Sequence, residues 1–538
     1  MRNRWTAVLL TGGAALAATG CGGETLGGTG ATTNDGGAKG AAVSNATLRY
    51  AMSAEPISLD PAVGTDSQSA IMFRNVYDRL IELAPNGHDL SPGLAEKWEV
   101  SDDGLTYTFH LREGVAFDDG TPLDADAVVL SLQRVLAIGK GDSSLFSQHT
   151  TAKDIQAVDP RTVTVKLKAP YAPFLQIVAL FDIGSIVNPK MVEQHATKKD
   201  RWAERWFKNN MSGTGPFKLG VWRRNQYLTL QRSDSTWQTK AKLASLRFES
   251  PGDASTTSLK LRQGDVDVVD PNILSSDQLR ALQGVSGVKI VRQPIYDAAY
   301  WVMNLSKKPF DDPKVRQAFS YAIDYDGIIS GVVQDQGARL GGPVPKGLLA
   351  GEAPAGPFNH DVQKAKQLLA EAGHAKGLRL TSWYVDFGPL KAIAQVMQDN
   401  LKQIGVQLDL RELPLSSLVE GVEANRLGFY SWSSNPPFAS ADAILWNHFH
   451  SKAGHGVEGN LSHYENAKVD QLLDQARRQT DMKQSEELYR QAAQQIANDA
   501  TSIFLSQTVK NAPTRDVVQG YQVAVIGGTS FRDVTIAE

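Results

Sequence analysis

Residues 76–136 read VYDRLIELAPNGHDLSPGLAEKWEVSDDGLTYTFHLREGVAFDDGTPLDADAVVLSLQRVL, and within them turn, strand and helix signals agree. Trp98, Val100, Tyr107, Phe109 and Leu111 alternate with polar residues on either side of Asp103-Gly104, a dipeptide that tolerates the positive φ of a tight hairpin turn. Asp118-Asp119-Gly120 then reverses the chain. Asp124 stands where a helix cap belongs, before a helix whose Val128, Leu132, Val135 and Leu136 share one face. The stretch therefore reads as hairpin, turn and helix. Asp102-Asp103 and Asp118-Asp119 each flank a glycine in a turn, so turn chemistry accounts for these paired carboxylates better than acid-base catalysis does.

At 538 residues the chain exceeds what one hydrophobic core usually organises, so two or three domains are expected. A formal net charge of -3 provides no global basic field, which argues against nucleic acid as a partner. The amino terminus has the order of a secretory signal: basic Arg2 and Arg4, an apolar stretch over residues 7–18, and small residues before Cys21. That apolar stretch is too short to span a membrane as a mature helix. Cys21 is the sole cysteine, so no internal disulfide can form. Residues 22–45, rich in Gly, Thr, Ala and Asn, lack apolar periodicity and read as a flexible tether.

Order is expected from about Thr47, with a strand over 48–52, a turn over 56–61 and a helix face formed by Ile71, Val76 and Leu80. Further strands are expected at 162–167, around Phe217, at 227–231 and at 290–304, and a helix ending at Gly264. Gly213-Thr214-Gly215-Pro216 lacks the Lys-Ser or Lys-Thr of a phosphate loop and reads as a turn into the strand at Phe217. Asp312-Pro313 opens a helix with Val315, Ala318, Phe319, Ala322 and Ile323 on its buried stripe. Residues 378–385, 389–404 and 406–410 form a strand, helix and strand with the spacing of a parallel crossover, which makes the architecture α/β.

Enzymatic constellations are weak. His448, His450, His455 and His463 cluster in a polar, Gly-rich segment, but no HExxH helix or cysteine ligand pair accompanies them. No Gly-x-Ser-x-Gly elbow occurs. A metal-dependent hydrolase centred on those histidines is the alternative from the enzyme class; no catalytic residue, metal site or cofactor is assigned.

The run LAEKWEVSDDGLTYTFHLREGVAFDDGTPLDADAVVLS resembles the signature of the family 5 extracellular solute-binding proteins, the oligopeptide, dipeptide and nickel receptors of ABC importers. ISLDP at 57–61, GTGPF at 213–217, FDDPKVRQAFSYAID at 310–324 and KAKQLLAEAG at 364–373 agree with it in order, over nearly the whole mature chain. The resemblance implies a two-lobed periplasmic-binding-protein-like α/β fold of type II, from the large cluster with an extra subdomain in the first lobe. On that basis 1–20 is the signal peptide and 21–45 a tether after a lipidated Cys21, whose Ala-Thr-Gly-Cys context resembles a lipobox. The first lobe comprises 46–70, 211–290 and 507–538 with 71–210 inserted, the second lobe is 291–506, and the crossings lie near 291–294 and 506–510.

The same resemblance places ligand contacts. Thr65 and Ser67 lie in a polar loop like one that touches peptide in relatives, and Tyr430-Ser431-Trp432-Ser433-Ser434-Asn435 resembles the segment that holds the peptide amino terminus. Relatives carry an Asp where Asn435 stands, so the charge that would meet an α-ammonium is missing. Ser431 and Ser433 can offer backbone groups to an extended ligand. Tyr300, Trp301, Trp383, Trp432 and Trp446 are candidate aromatic contacts, with burial in a core or lobe interface as the competing reading. The expectation is a monomeric, lipid-anchored receptor on the outer face of the cell membrane that passes a peptide to an ABC permease and its ATPase. An oligosaccharide or another small solute is the alternative ligand.

Overall fold

The computed structural model describes residues 45–84 and 88–537. An eleven-stranded mixed sheet carries most of the chain. Its order is Val406–Glu412, Leu378–Tyr384, Phe429–Ser434, Val288–Met303, Ser502–Arg515, Val268–Val269, Thr47–Ala51, Ser245–Glu249, Tyr227–Arg232 and Phe217–Arg223, with Gly337–Arg339 added beside Ser502–Arg515. Two long strands join the halves of this sheet. Val288–Met303 and Ser502–Arg515 run antiparallel, but their register breaks between Pro294 and Ala298. Proline has no N–H to give to the ladder, and an irregularity in the pairing is where a strand tolerates it.

Each half has its own core. Leu48, Tyr50, Phe73, Leu228, Leu246, Phe248 and Phe531 pack around the first half. In the second half one face of the sheet carries Trp301, Phe319, Ile393, Met397 and Phe429, and the other Tyr300, Tyr430, Ile444, Leu473 and Phe504. The expected Asp312 cap receives Lys314 N–H with Pro313 in the first turn, and Val315, Ala318 and Phe319 are buried. Leu378–Tyr384 and Val406–Glu412 are parallel and connected by the helix Leu390–Gln403.

The hairpin and helix of residues 76–136 belong to a separate four-stranded antiparallel sheet, ordered Ala95–Val100, Thr106–Leu111, Thr162–Lys166 and Ile155–Asp159. Gly104 turns the hairpin at φ 68°, and Asp124 accepts Ala127 N–H at the start of the helix Ala125–Ile138. Tyr107, Phe109, Val128, Leu132 and Phe174 close a core of their own. Leu80 differs from expectation. The helix Ser67–Val76 ends before it, and Leu80 packs into this second core. The cause is tertiary: the buried Asp78 carboxylate accepts hydrogen bonds from the Thr214 hydroxyl (2.9 Å) and Trp237 Nε1 (2.8 Å), which pull the chain out of helical geometry. The Gly213 turn packs on the same region, where a Cβ would lie 2.2 Å from the Val76 carbonyl oxygen, so only glycine fits.

Asp60 and Arg134 tie the inserted unit to the first half. Both are buried, and the guanidinium meets the carboxylate through two 2.6 Å hydrogen bonds while its Nε donates to the Trp202 carbonyl.

Candidate functional site

In both halves parallel strands end on a common edge, the place where open α/β sheets bind ligands. In the first half the strand Thr47–Ala51 lies parallel to Ser245–Glu249 and Val268–Val269. Beyond its end a polar network forms. Asp270 accepts from Tyr50 OH (2.9 Å), from Gln68 Nε2 (2.8 Å) and from Asn272 Nδ2 (2.9 Å). Gln68 Nε2 also reaches Ser53 Oγ (3.0 Å), and Lys510 Nζ donates to Asn272 Oδ1 (2.5 Å). The Gln68 side-chain Oε1 is buried with no partner among the described residues.

In the second half the strand Phe429–Ser434 is the corresponding element. On one side it pairs with Val288–Met303 from Phe429 to Ser434. On its other side, among the described residues, only Tyr430 is paired, with Trp383. Alternate residues of an antiparallel strand turn their N–H and C=O away from the partner, so residues 431–434 present backbone groups along an edge that no other strand covers among the described residues. Such an edge is suited to an extended chain.

The candidate residues distribute as follows. Ser431, Trp432, Ser433 and Asn435 line this edge or its end; Ser433 and Asn435 are exposed, Trp432 is half-buried, and the buried Ser431 hydroxyl has no partner among the described residues. Trp383 is half-buried against the same core as Trp432. Tyr300 and Trp301 pair in register with Trp432 and Ser431, yet both side chains are fully buried and occupied. Tyr300 OH donates to the Pro343 carbonyl and Trp301 Nε1 to Ser382 Oγ (2.8 Å). Thr65 and Ser67 are exposed on the first half, flanking the Asp66 cap of the helix Ser67–Val76. Cys21 lies outside the described residues.

Contacts that sequence reasoning missed bridge the four-stranded unit and the second half. Asp442, 1 % exposed, accepts hydrogen bonds from Arg477 Nε (2.7 Å) and Nη2 (2.9 Å), from Tyr489 OH (2.9 Å) and, across the bridge, from Tyr171 OH (2.8 Å). Ala172 N–H donates to the Arg477 carbonyl (2.8 Å), and His88 Nε2 meets Glu486 at 3.1 Å. The electrostatics follow. Burial and the neighbouring Asp442 charge push the Tyr171 and Tyr489 hydroxyls well above their ordinary pKa. Burial opposes the Arg477 charge, but Asp442 more than offsets it and the pKa rises. His149, stacked on Tyr171 with ring centroids 3.9 Å apart, is pulled down to about 4 by burial and by Arg477. The hydrogen bond to Glu486 raises His88 to about 9 against its partial burial. No local motif marks these residues in the sequence, since the partners across the bridge, such as Tyr171 and Asp442, lie hundreds of positions apart.

The histidines do not converge. The half-buried His448 faces the Gly459 carbonyl (3.2 Å), His450 lies between Asp470 and Asp474, and His455 stacks on His463. Among the described residues no group of three or more His, Cys, Asp or Glu is placed to hold a metal ion.

Residues 89–456 match the bacterial extracellular solute-binding proteins, family 5, middle region. The chain belongs to this family. This family 5 protein is 32% identical over 486 residues to the probable D,D-dipeptide-binding periplasmic protein of Escherichia coli strain K12, covering 89% of this chain and 92% of the relative. It is 30% identical over 525 residues to heme-binding protein A of Haemophilus influenzae, covering 92% and 93%. Among solved structures it resembles HbpA2 from Haemophilus parasuis, with a TM-score of 0.83 and 26% identity over 92% of this chain and all of that one. The fold is accordingly the two-lobed one of periplasmic binding proteins. Family 5 proteins are extracytoplasmic solute-binding components of ABC importers, a family of transport binding proteins. No described helix is long and apolar enough to cross a membrane.

Proposed function

We propose that this protein is an exported, lipid-anchored receptor that captures a peptide between its lobes and delivers it to the permease of an ABC importer. The observation that carries the peptide reading is the uncovered strand edge at residues 431–434, beyond the single Trp383–Tyr430 pair. Main-chain hydrogen bonds to an added strand give affinity that is tolerant of sequence, which suits a nutrient receptor. The D,D-dipeptide-binding relative supports the same class. Ser431, Trp432, Ser433, Asn435 and Trp383 form the second-lobe wall, with Tyr300 and Trp301 beneath it, and Thr65 and Ser67 approach from the first lobe.

In this reading the first lobe is 46–70, 211–290 and 507–538 with 71–210 inserted, and the second is 291–506. Hinge motion occurs where the two long strands cross, at the register break between Pro294 and Ala298. Cys21 carries the lipid, and the receptor works as a monomer. The half-buried Trp383 and Trp432 favour an oligosaccharide as the second ligand class, through stacking on sugar rings, whereas the Trp446 ring is already taken by Arg477 and His450. Native mass spectrometry of the purified full chain tests the assignment. A co-purifying mass that fragments as a peptide is the expected result; a sugar or heme mass overturns the peptide while leaving capture and delivery in place.

A further inference from the structure

The register break in the long crossing strands has a defined shape. Pro294 pairs with Val509 and Ala298 with Gln507, so Ile295, Tyr296 and Asp297 stand opposite Thr508 alone. Bulges of this kind re-aim side chains and recur beside binding sites. Two of the three residues are held in place. Gln507 Nε2 donates to the Ile295 carbonyl (3.0 Å), and Tyr296 OH donates to the Gly347 carbonyl (2.9 Å). Asp297 is different: it is half-buried, and no hydrogen bond or ion pair reaches its carboxylate among the described residues.

On the other side of the same strand, Ala298 pairs with Ser434. The next residues in that antiparallel register are Asp297 and Asn435, so the carboxylate stands across from a neutral, exposed amide at the end of the strand Phe429–Ser434, on the flank opposite the uncovered edge. Lys510, on the paired crossing strand, gives its ammonium to Asn272 of the first half. Its charge partly offsets the rise that burial imposes on the Asp297 pKa, without forming an ion pair. A carboxylate withdrawn from water and left unpartnered is costly, and the cost is recovered when a bound cation completes it.

We propose that Asp297 receives the positively charged group of the solute, and that the ligands of this receptor therefore carry an ammonium or other cation at the end seated beside Asn435. The assignment rests on the peptide reading above, and it selects peptides with a free amino terminus over amino-blocked peptides and neutral sugars.

Calorimetric titration of the full chain with L-Ala-L-Ala and D-Ala-D-Ala, each free and N-acetylated, tests it. Wild type is expected to prefer a free dipeptide. Asp297→Asn should weaken that binding by about 30-fold or more, the scale of removing one partner of a desolvated charge pair, while leaving the acetylated form unimproved. Asp297→Glu, which keeps the charge, should retain the preference. Moving the charge one step across the register, in Asp297→Asn with Asn435→Asp, should restore part of the loss. The melting temperature of ligand-free Asp297→Asn should equal or exceed that of wild type, because the variant removes an unpaired carboxylate. Equal binding of free dipeptide by wild type and Asp297→Asn overturns the Asp297 assignment and leaves the peptide reading standing. Failure of wild type to bind any of the four probes overturns both.

Discussion

Replacing Tyr171 with Phe removes one hydroxyl and nothing else from the contact between the four-stranded unit and the second half. The ring keeps its stacking on His149 and its place in the apolar core. Asp442 keeps two hydrogen bonds from Arg477 and one from Tyr489, so its buried carboxylate is not orphaned. The loss is therefore a hydrogen bond to a charged group, about 1.5–3 kcal/mol. It falls wholly on the conformation in which the two surfaces meet, since apart from one another both groups are hydrated. If ligand is held only in that conformation, its dissociation constant rises by about ten- to a hundredfold. Tyr489→Phe is the control. It deletes a bond of the same kind to the same carboxylate, but within the second half, so it should lower the melting temperature with a far smaller change in affinity. Titration calorimetry and thermal melting of the two variants side by side provide the assay. Equal effects of Tyr171→Phe and Tyr489→Phe on affinity would refute the claim that the Tyr171–Asp442 bond governs closure.

Three other predictions follow from particular contacts. His88 is raised to about 9 by Glu486, so its contribution is complete below the ordinary pKa near 6.5 and is lost as pH climbs through 9; the melting temperature should fall over that window, and His88→Gln should flatten the fall. Asp60→Ala strands the buried Arg134 guanidinium and should cost about 3–5 kcal/mol in urea unfolding, whereas the double change with Arg134→Met should cost less than Asp60→Ala alone. Cys21→Ser should release the protein from the membrane fraction into the medium, because stable anchoring needs the acyl chains; undiminished membrane retention would remove the lipid anchor from the account.

What the sequence disclosed was local. Asp103-Gly104, the Asp124 and Asp312 caps and the 378–410 crossover are set by neighbouring residues, and each element forms where its pattern places it. Leu80 shows the limit, because the helix before it is ended by bonds from Thr214 and Trp237 to Asp78, which no periodicity contains. The site divides in the same way. The Ser431–Asn435 segment stands out by its resemblance, whereas burial decides that Tyr300 and Trp301 are core rings, and burial depends on the whole fold. Asp297 and Asp442 carry no motif at all. One is singled out by a bulge and the other by four donors gathered from three distant segments.

Small-angle X-ray scattering of the full chain, with and without a saturating free-amino dipeptide, tests capture by closure most directly. The account predicts a smaller radius of gyration with ligand and recovery of the dipeptide intact after release. An unchanged radius at saturation, or stoichiometric conversion of the dipeptide to its amino acids, would contradict it.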